Sequence, residues 1–382
     1  MTAASIEVPL AKRREFGNAN TLKLGLFGPN CSSGRTPTNA PERWSGDWGD
    51  NLRLARIADE AGIDFLLPIG RWKGYGGDTD YQGTTLEVIT WAAGILASTR
   101  RIHAFATVHV PLVHPVIAAK QFVTVDHISE GRFGLNIVCG WNEDEFEMFG
   151  VTQREHEARY EYAQEWFDAV RRMWGEEEEF SVEGRFINLK KVRSKPKPYG
   201  GSRPIVMNAG ASATGQAFAI RNCDALFTGL TGKPDFEAVA RLVADAKGRA
   251  AEGGRELDVY TVGVVTCKPT LAEAEAYHQH RVVYQADWGA VDTMMRMHKV
   301  PTAGLAPEAL QRLRAAFANG SGAYQLIGEP DYVAAELARL SAAGIKGIAV
   351  SFLNYAEELP YFCQEVLPRL ERLGLRVKPQ PL

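Results

Sequence analysis

The sequence predicts an α/β fold built on one parallel sheet, and two observations carry that expectation. Eight short apolar runs alternate with amphipathic stretches of helix length between residues 22 and 373, the signature of strand–helix–strand units. The composition, 45% hydrophobic and 23% charged over 382 residues, suits a chain that buries a large core without disulfide or metal staples. Periodicity alone leaves two arrangements open: a closed barrel, or an open, doubly wound sheet.

The elements follow in order. Residues 22–27 read as the first strand and 50–61 as the helix after it. Residues 64–67 are a short second strand, followed by a glycine-rich loop and a helix over 86–97. Residues 102–108 form the third strand. Pro115 then sits at a helix start, where its missing N–H costs nothing, and the pattern runs to residue 129. Residues 132–138 are the fourth strand, with a helix over 159–174. The second half repeats the theme with strands at 205–207, 225–227, 259–267 and 347–351. Helices are expected up to 222 and over 235–252, 329–343 and 359–373, with Gly344 as the cap of the third. Two segments break the alternation. Residues 180–192 look like a hairpin around Glu183-Gly184. Residues 285–324 form a long insertion with Met294, Met295 and Met297, readable as a lid or as a disordered or partner-contacting loop.

Several function classes are excluded. The net charge of −3 argues against a nucleic-acid binder, which would carry a basic field. The run Glu176 to Glu179 reads as a solvated loop. No stretch approaches 18 apolar residues, so no membrane span is expected, and residues 1–23 lack the apolar region of a secretory signal. Five scattered cysteines have no CxxC spacing and suit a cytoplasmic location. His278 and His280, two apart on a helix, face different ways, and no metal site is expected. GxGxxG after the first strand, GxxxxGK[ST], HExxH and GxSxG are all absent.

In parallel α/β folds chemistry gathers at the carboxyl ends of strands. After the second strand comes a loop from Ile69 to Gly77, whose glycines allow close approach of a flat ligand. Thr107 and His109 share one face at the end of the third strand, although His109 reads equally as a structural histidine. Asn136 places an amide inside a strand buried on both faces, and a buried amide needs a partner. Trp141 follows at the strand's exit, where it would wall a ring system or simply pack in the core.

These residues lie in four segments: KGYGG at 73–77, SEGRFGLNIVCGW at 129–141, ARY at 158–160 and NAGAS at 208–212. Together they resemble the bacterial-luciferase-like flavin monooxygenases, nearest the pyrimidine and dimethyl sulfone monooxygenase subgroup. The resemblance runs from about residue 22 to residue 227, with a weaker echo in the last strand and helix. It implies a (β/α)8 TIM barrel with insertions. Residues 1–21 would be an N-terminal arm, 22–375 a single barrel with insertions near 180–192 and 285–324, and 376–382 a tail.

The resemblance also implies the chemistry. A separate NAD(P)H:flavin reductase would supply reduced flavin mononucleotide, FMNH2, to a cytoplasmic homodimer or homotetramer. O2 would add to the flavin, as a peroxide at C4a or N5, and oxygenate a small molecule: a pyrimidine, a sulfone, a halogenated aromatic or a flavin-like heterocycle. Gly70 and Arg71 would lie beside the flavin ring, and Asn136 and Glu145 would hydrogen-bond the flavin. Arg159, Tyr160 and Ser212 would hold its phosphate. Thr107, Asn136, Trp141 and His109, with Leu67 as an apolar wall, would form the oxygen pocket. By the residues alone, the alternatives are a surface-helix position for Arg159 and a solvated loop for Glu145. The sequence departs from the pyrimidine enzymes by one extra residue before KGYGG and by His109 and His114, which bears on the substrate and not on the cofactor. The alternatives are a deazaflavin F420-dependent dehydrogenase on the same barrel and a flavin-binding barrel without turnover.

Overall fold

A computed structural model describes residues 7–230 and 234–380. Eleven strands appear among the described residues. The first four are β1 (Lys23–Phe27), β2 (Phe65–Leu67), β3 (His103–His109) and β4 (Phe133–Val138). The expected hairpin follows as β5 (Phe180–Glu183) and β6 (Asn188–Val192), an antiparallel pair outside the main sheet. Then come β7 (Ile205–Asn208), β8 (Ala225–Thr228), β9 (Asp258–Cys267), β10 (Tyr324–Gly328) and β11 (Gly347–Ser351). Parallel pairing runs β1-β2-β3-β4-β7-β8-β9-β11 and returns to β1. The sheet is therefore a closed (β/α)8 barrel of the eight expected strands.

The ninth parallel strand, β10, has no counterpart in the sequence reading, which placed its start inside the insertion. Residues Asp258 to Thr261 of β9 pair with β8, and Gly263 to Cys267 pair with β10. The four-residue β8 stops early, and β10 takes the edge of β9 that it leaves bare.

The barrel interior is filled by a size match across strands. Gly25 is the registered partner of Phe65, Gly134 of Phe105 and Gly347 of Tyr260. A Cβ on any of these glycines would lie 2.3–2.5 Å from the facing ring. Each missing side chain thus makes room for a buried aromatic, worth roughly 1.5–3 kcal/mol on burial. The helices wrap a second apolar shell outside the strands. Helix Pro330–Ala342 ends as expected, with Gly344 at φ +90°. The last expected helix is two, Tyr355–Glu365 and Leu367–Arg372.

The amino-terminal end of the barrel is stoppered by the segment expected to be an arm. Phe16 stacks on Phe65 at 5.4 Å and meets Phe105 and Tyr260 edge-on. In the tail, Arg376 donates to Asp64 at 2.5 Å. Residues 1–6 of the arm and 381–382 of the tail lie outside the described residues. The long insertion folds as helices Trp288–Met297 and Pro307–Ala318, at the opposite end of the barrel. Among the described residues, no helix is long and apolar enough to cross a membrane, and no cluster of potential metal ligands occurs.

Candidate active site

A chamber of about 300 Å³ opens at the carboxyl ends of the strands. Its wall contains Leu67, Gly70, Arg71, Thr107, His109, Asn136 and Trp141, seven of the expected site residues. A second chamber of about 480 Å³ adjoins it and contains Arg159, Tyr160 and Ser212. Val138, Trp141, Ala209 and His298 line both.

Strand register sets the centre of the first chamber. Thr107 on β3 is the registered partner of Asn136 on β4. Asn136 Nδ2 donates to Thr107 Oγ1 at 3.2 Å, and Thr107 donates to the Pro68 carbonyl at 2.6 Å. The hydroxyl proton of Thr107 is thus engaged by the protein, and the free groups of the pair belong to Asn136. Its Oδ1 is buried without a hydrogen-bond partner, and such an atom is costly unless a ligand or water meets it. Gly70 lies against the same strand end. A Cβ there would sit 2.5 Å from the Thr107 carbonyl, so only glycine lets the loop pass this closely.

Arg71 is fixed on every side. Its Nη1 donates to Glu145 at 3.2 Å, Nη2 to the Tyr75 hydroxyl at 2.9 Å and Nε to Gln82 at 3.3 Å. Its guanidinium also lies 4.7 Å from the Tyr75 ring centre and 5.3 Å from that of Trp141. Glu145 is 1% exposed and accepts from the Trp72 N–H at 2.9 Å. It is no solvated loop acid, and it stands behind Arg71, outside the chamber wall. His109 Nδ1 is 3.7 Å from Glu145. Burial pushes this imidazole down to about 4, against the pull of Glu145, so it is neutral near pH 7. His114 lies apart from the chambers, where its side chain caps helix Pro115–Ile128.

The second chamber has the make-up of an anion site. Ser212 caps the ten-residue helix Ala213–Asn222 by accepting from the Gly215 N–H at 3.1 Å. Arg159 donates from Nη1 to the Gly140 carbonyl, and its buried Nε has no partner. A helix amino terminus and a guanidinium with an unmet donor together suit a phosphate. Arg159 is accordingly no surface-helix residue. Tyr160 touches the same turn, its hydroxyl oxygen lying 2.5 Å from where a Cβ on Gly215 would be.

Among the chamber residues that the sequence reading did not assign to the site are Arg35, Tyr75, Tyr81, Gln82 and His298. Tyr75 lies within KGYGG and could have been taken from it. Arg35 arrives from the loop after β1 and His298 from the insertion, where no local pattern marks them. His298 stacks on Trp141 at 4.3 Å with the rings 12° from parallel.

The pattern of the luciferase-like monooxygenases matches residues 22–347. The chain belongs to that family. This luciferase-like monooxygenase is 29% identical over 360 residues to the FMNH2-dependent dimethylsulfone monooxygenase of Pseudomonas putida, covering 92% of this chain and 96% of that one. It is 29% identical over 365 residues to the pyrimidine monooxygenase RutA of Allorhizobium ampelinum, covering 93% and 98%. Its fold superposes on riboflavin lyase RcaE, solved with modified FMN and riboflavin, at a TM-score of 0.83, with 21% identity and 94% of each chain covered. It is a flavin-dependent monooxygenase, with FMN as cofactor and O2 as co-substrate. The residues present fit FMN: a glycine-lined slot at Gly70, an unmet amide oxygen at Asn136 and an unmet cationic donor at Arg159.

Proposed function

We propose that this chain is the oxygenase component of a two-component system, fed with FMNH2 by a separate NAD(P)H:flavin reductase in the cytoplasm. The supporting observation is the pair of joined chambers, one walled by rings and apolar side chains, the other ending in a phosphate-type anion site. Arg159, Tyr160 and the Ser212 turn hold the phosphate. Gly70 and Arg71 would hold the flavin ring, and Leu67 and Trp141 would wall the pocket that takes it. Reduced FMN supplies the two electrons that activate O2. Asn136, oriented by its bond to Thr107, positions the oxygen through its remaining Nδ2 hydrogen. Glu145 fixes Arg71 from behind. The insertion carrying His298 is the lid that excludes water during the oxygenation.

The substrate is a small molecule in which oxygenation leads to cleavage of a C–N, C–S or C–halogen bond: a pyrimidine, sulfone, halogenated aromatic or flavin-like heterocycle. The test is O2 uptake with FMNH2 generated by an added reductase. The chain alone is expected to leave NADH unoxidised and to bind FMNH2 more tightly than FMN. Rapid NADH oxidation without reductase, or hydride transfer from reduced F420 with no O2 uptake, would sink this reading.

A further inference from the structure

We propose that the substrate carries a negative charge and that Arg35 is the group that binds it, an inference that rests on the first chamber being the oxygenation site. The charge inventory of the wall motivates this. Its lining residues include two arginines, Arg35 and Arg71, and no carboxylate. The two cations are treated differently by the protein. Arg71 is neutralised from behind by Glu145 at 3.2 Å. Arg35 has only neutral neighbours. Its Nε and Nη2 donate to the Gly320 carbonyl at 3.1 and 2.6 Å, and Nη2 also donates to the Ser321 carbonyl at 2.9 Å. Its guanidinium lies 4.9 Å from the centre of the Phe27 ring. Among the described residues Arg35 makes no ion pair, and its Nη1 makes no hydrogen bond.

A partly buried guanidinium without a counter-charge is expensive unless an anion is supplied from outside. Burial lowers its proton affinity from the ordinary value, yet an arginine remains charged at any physiological pH. The field of the pair is felt across the chamber. His298 is pushed below its ordinary value by burial first, then by Arg71 and Arg35. The rest of the wall near Arg35 is apolar or aromatic, with Phe27, Tyr75, Tyr81, Phe227 and Met294. The complementary ligand is a small body with an aromatic or apolar frame and an ionised oxyanion, a carboxylate or a sulfonate. A dialkyl sulfone has no such charge. Arg35 is held in place by carbonyls some 285 residues away in sequence, just after helix Pro307–Ala318, so the same contact that aims the cation also anchors the insertion.

The test is calorimetric binding of benzoate and benzenesulfonate, against the neutral benzamide and benzenesulfonamide, to the protein with and without FMN. In the wild type each acid is expected to bind about tenfold or more tightly than its neutral counterpart, the scale of a charge-assisted hydrogen bond. Arg35→Gln should abolish that preference and leave FMN affinity within about twofold. Arg35→Lys should retain the preference in part, and it covers the case in which Arg35→Gln does not fold. The proposal is overturned if the wild type binds acids and amides alike or binds neither acid. It is also overturned if the preference survives Arg35→Gln, or if Arg35→Gln weakens FMN instead, which would make Arg35 a flavin-binding cation. Loss of FMN binding by the wild type with the acid preference intact would sink the flavin reading and leave the charged ligand standing.

Discussion

The two ends of the barrel are built on opposite electrostatic plans. At the amino-terminal end, buried charges meet partners within the chain. Arg13 and Asp126, both fully buried, share two bonds at 2.6 and 3.1 Å, and Arg13 also reaches the Gly131 carbonyl at 3.2 Å and Ser202 at 2.9 Å. Asp64 accepts from Arg376, the Leu24 N–H at 2.7 Å, and Asn18 and Asn20, both at 2.8 Å. At the carboxyl-terminal end, polar groups are left unmet: Asn136 Oδ1, Arg159 Nε, both amide atoms of Asn142, and the charge of Arg35. Satisfied charges hold a structure, and unsatisfied ones wait for a ligand. The contrast locates the functional end without reference to any relative. Exceptions stand at the closed end, where His103 Nδ1 and the Nε atoms of Arg14 and Arg255 are buried and unpaired.

If the closed end is structural, removing one of its charges should cost stability and nothing else. Arg13→Ala strands Asp126 in the core and is expected to destabilise by about 3–5 kcal/mol. Chemical denaturation would measure it, with FMN affinity unchanged in the folded fraction. A loss below about 1 kcal/mol would break the contrast. At the open end the converse holds. Asn136→Ala should leave the melting temperature nearly intact and lower single-turnover product formation at saturating FMNH2 by about 10²–10³, the cost of one preorganised donor. Thr107→Ala, which only loosens Asn136, should cost less. Near-normal product per flavin in both variants would remove this pair from the oxygen step. Arg159→Ala should weaken FMN binding roughly 10- to 150-fold, the worth of about 1.5–3 kcal/mol for a charge-assisted bond. An unchanged dissociation constant by fluorescence titration would return Arg159 to a packing role.

The smallest effect concerns acid. Burial holds His103 at about 3 and His109 at about 4, both below the ordinary 6.5. Both are neutral in the folded protein, while the unfolded chain takes up protons below pH 6.5. Their contribution is therefore intact above about pH 6.5 and is lost as pH falls from there towards about 4 for His109 and about 3 for His103, by about 2 kcal/mol each at pH 5. Replacing His103 by Asn should flatten this acid limb and leave FMN affinity alone, which would sharpen the assignment of that end as structural. An acid limb unchanged in that variant would mean His103 titrates at its ordinary value.

Much of the fold was legible because it is written locally. All eight barrel strands follow from apolar runs, and Gly344 ends its helix as its conformational freedom predicts. The strand-end residues Thr107, Asn136 and Trp141 could be placed at the chamber because alternation fixes which face a residue takes and parallel sheets gather ligands at one end. The same local logic failed at β10, whose pairing depends on where β8 stops, a fact held by another strand.

The sequence by itself determined the alternation of elements, the end of the barrel at which polar residues gather and, through four short motifs, the family. The tertiary structure alone decided which groups meet there. The register of β3 against β4 bonds Asn136 to Thr107 and ties the threonine proton to Pro68. Barrel closure brings the loop after β1 and the insertion over one chamber, so Arg35 and His298 join a site that neither segment announces. It also sets Glu145 behind Arg71 and leaves Arg35 without a carboxylate. The physical reason is range: side-chain direction within a strand is a property of neighbouring residues, whereas the balance of charge in a cavity is summed over segments hundreds of residues apart.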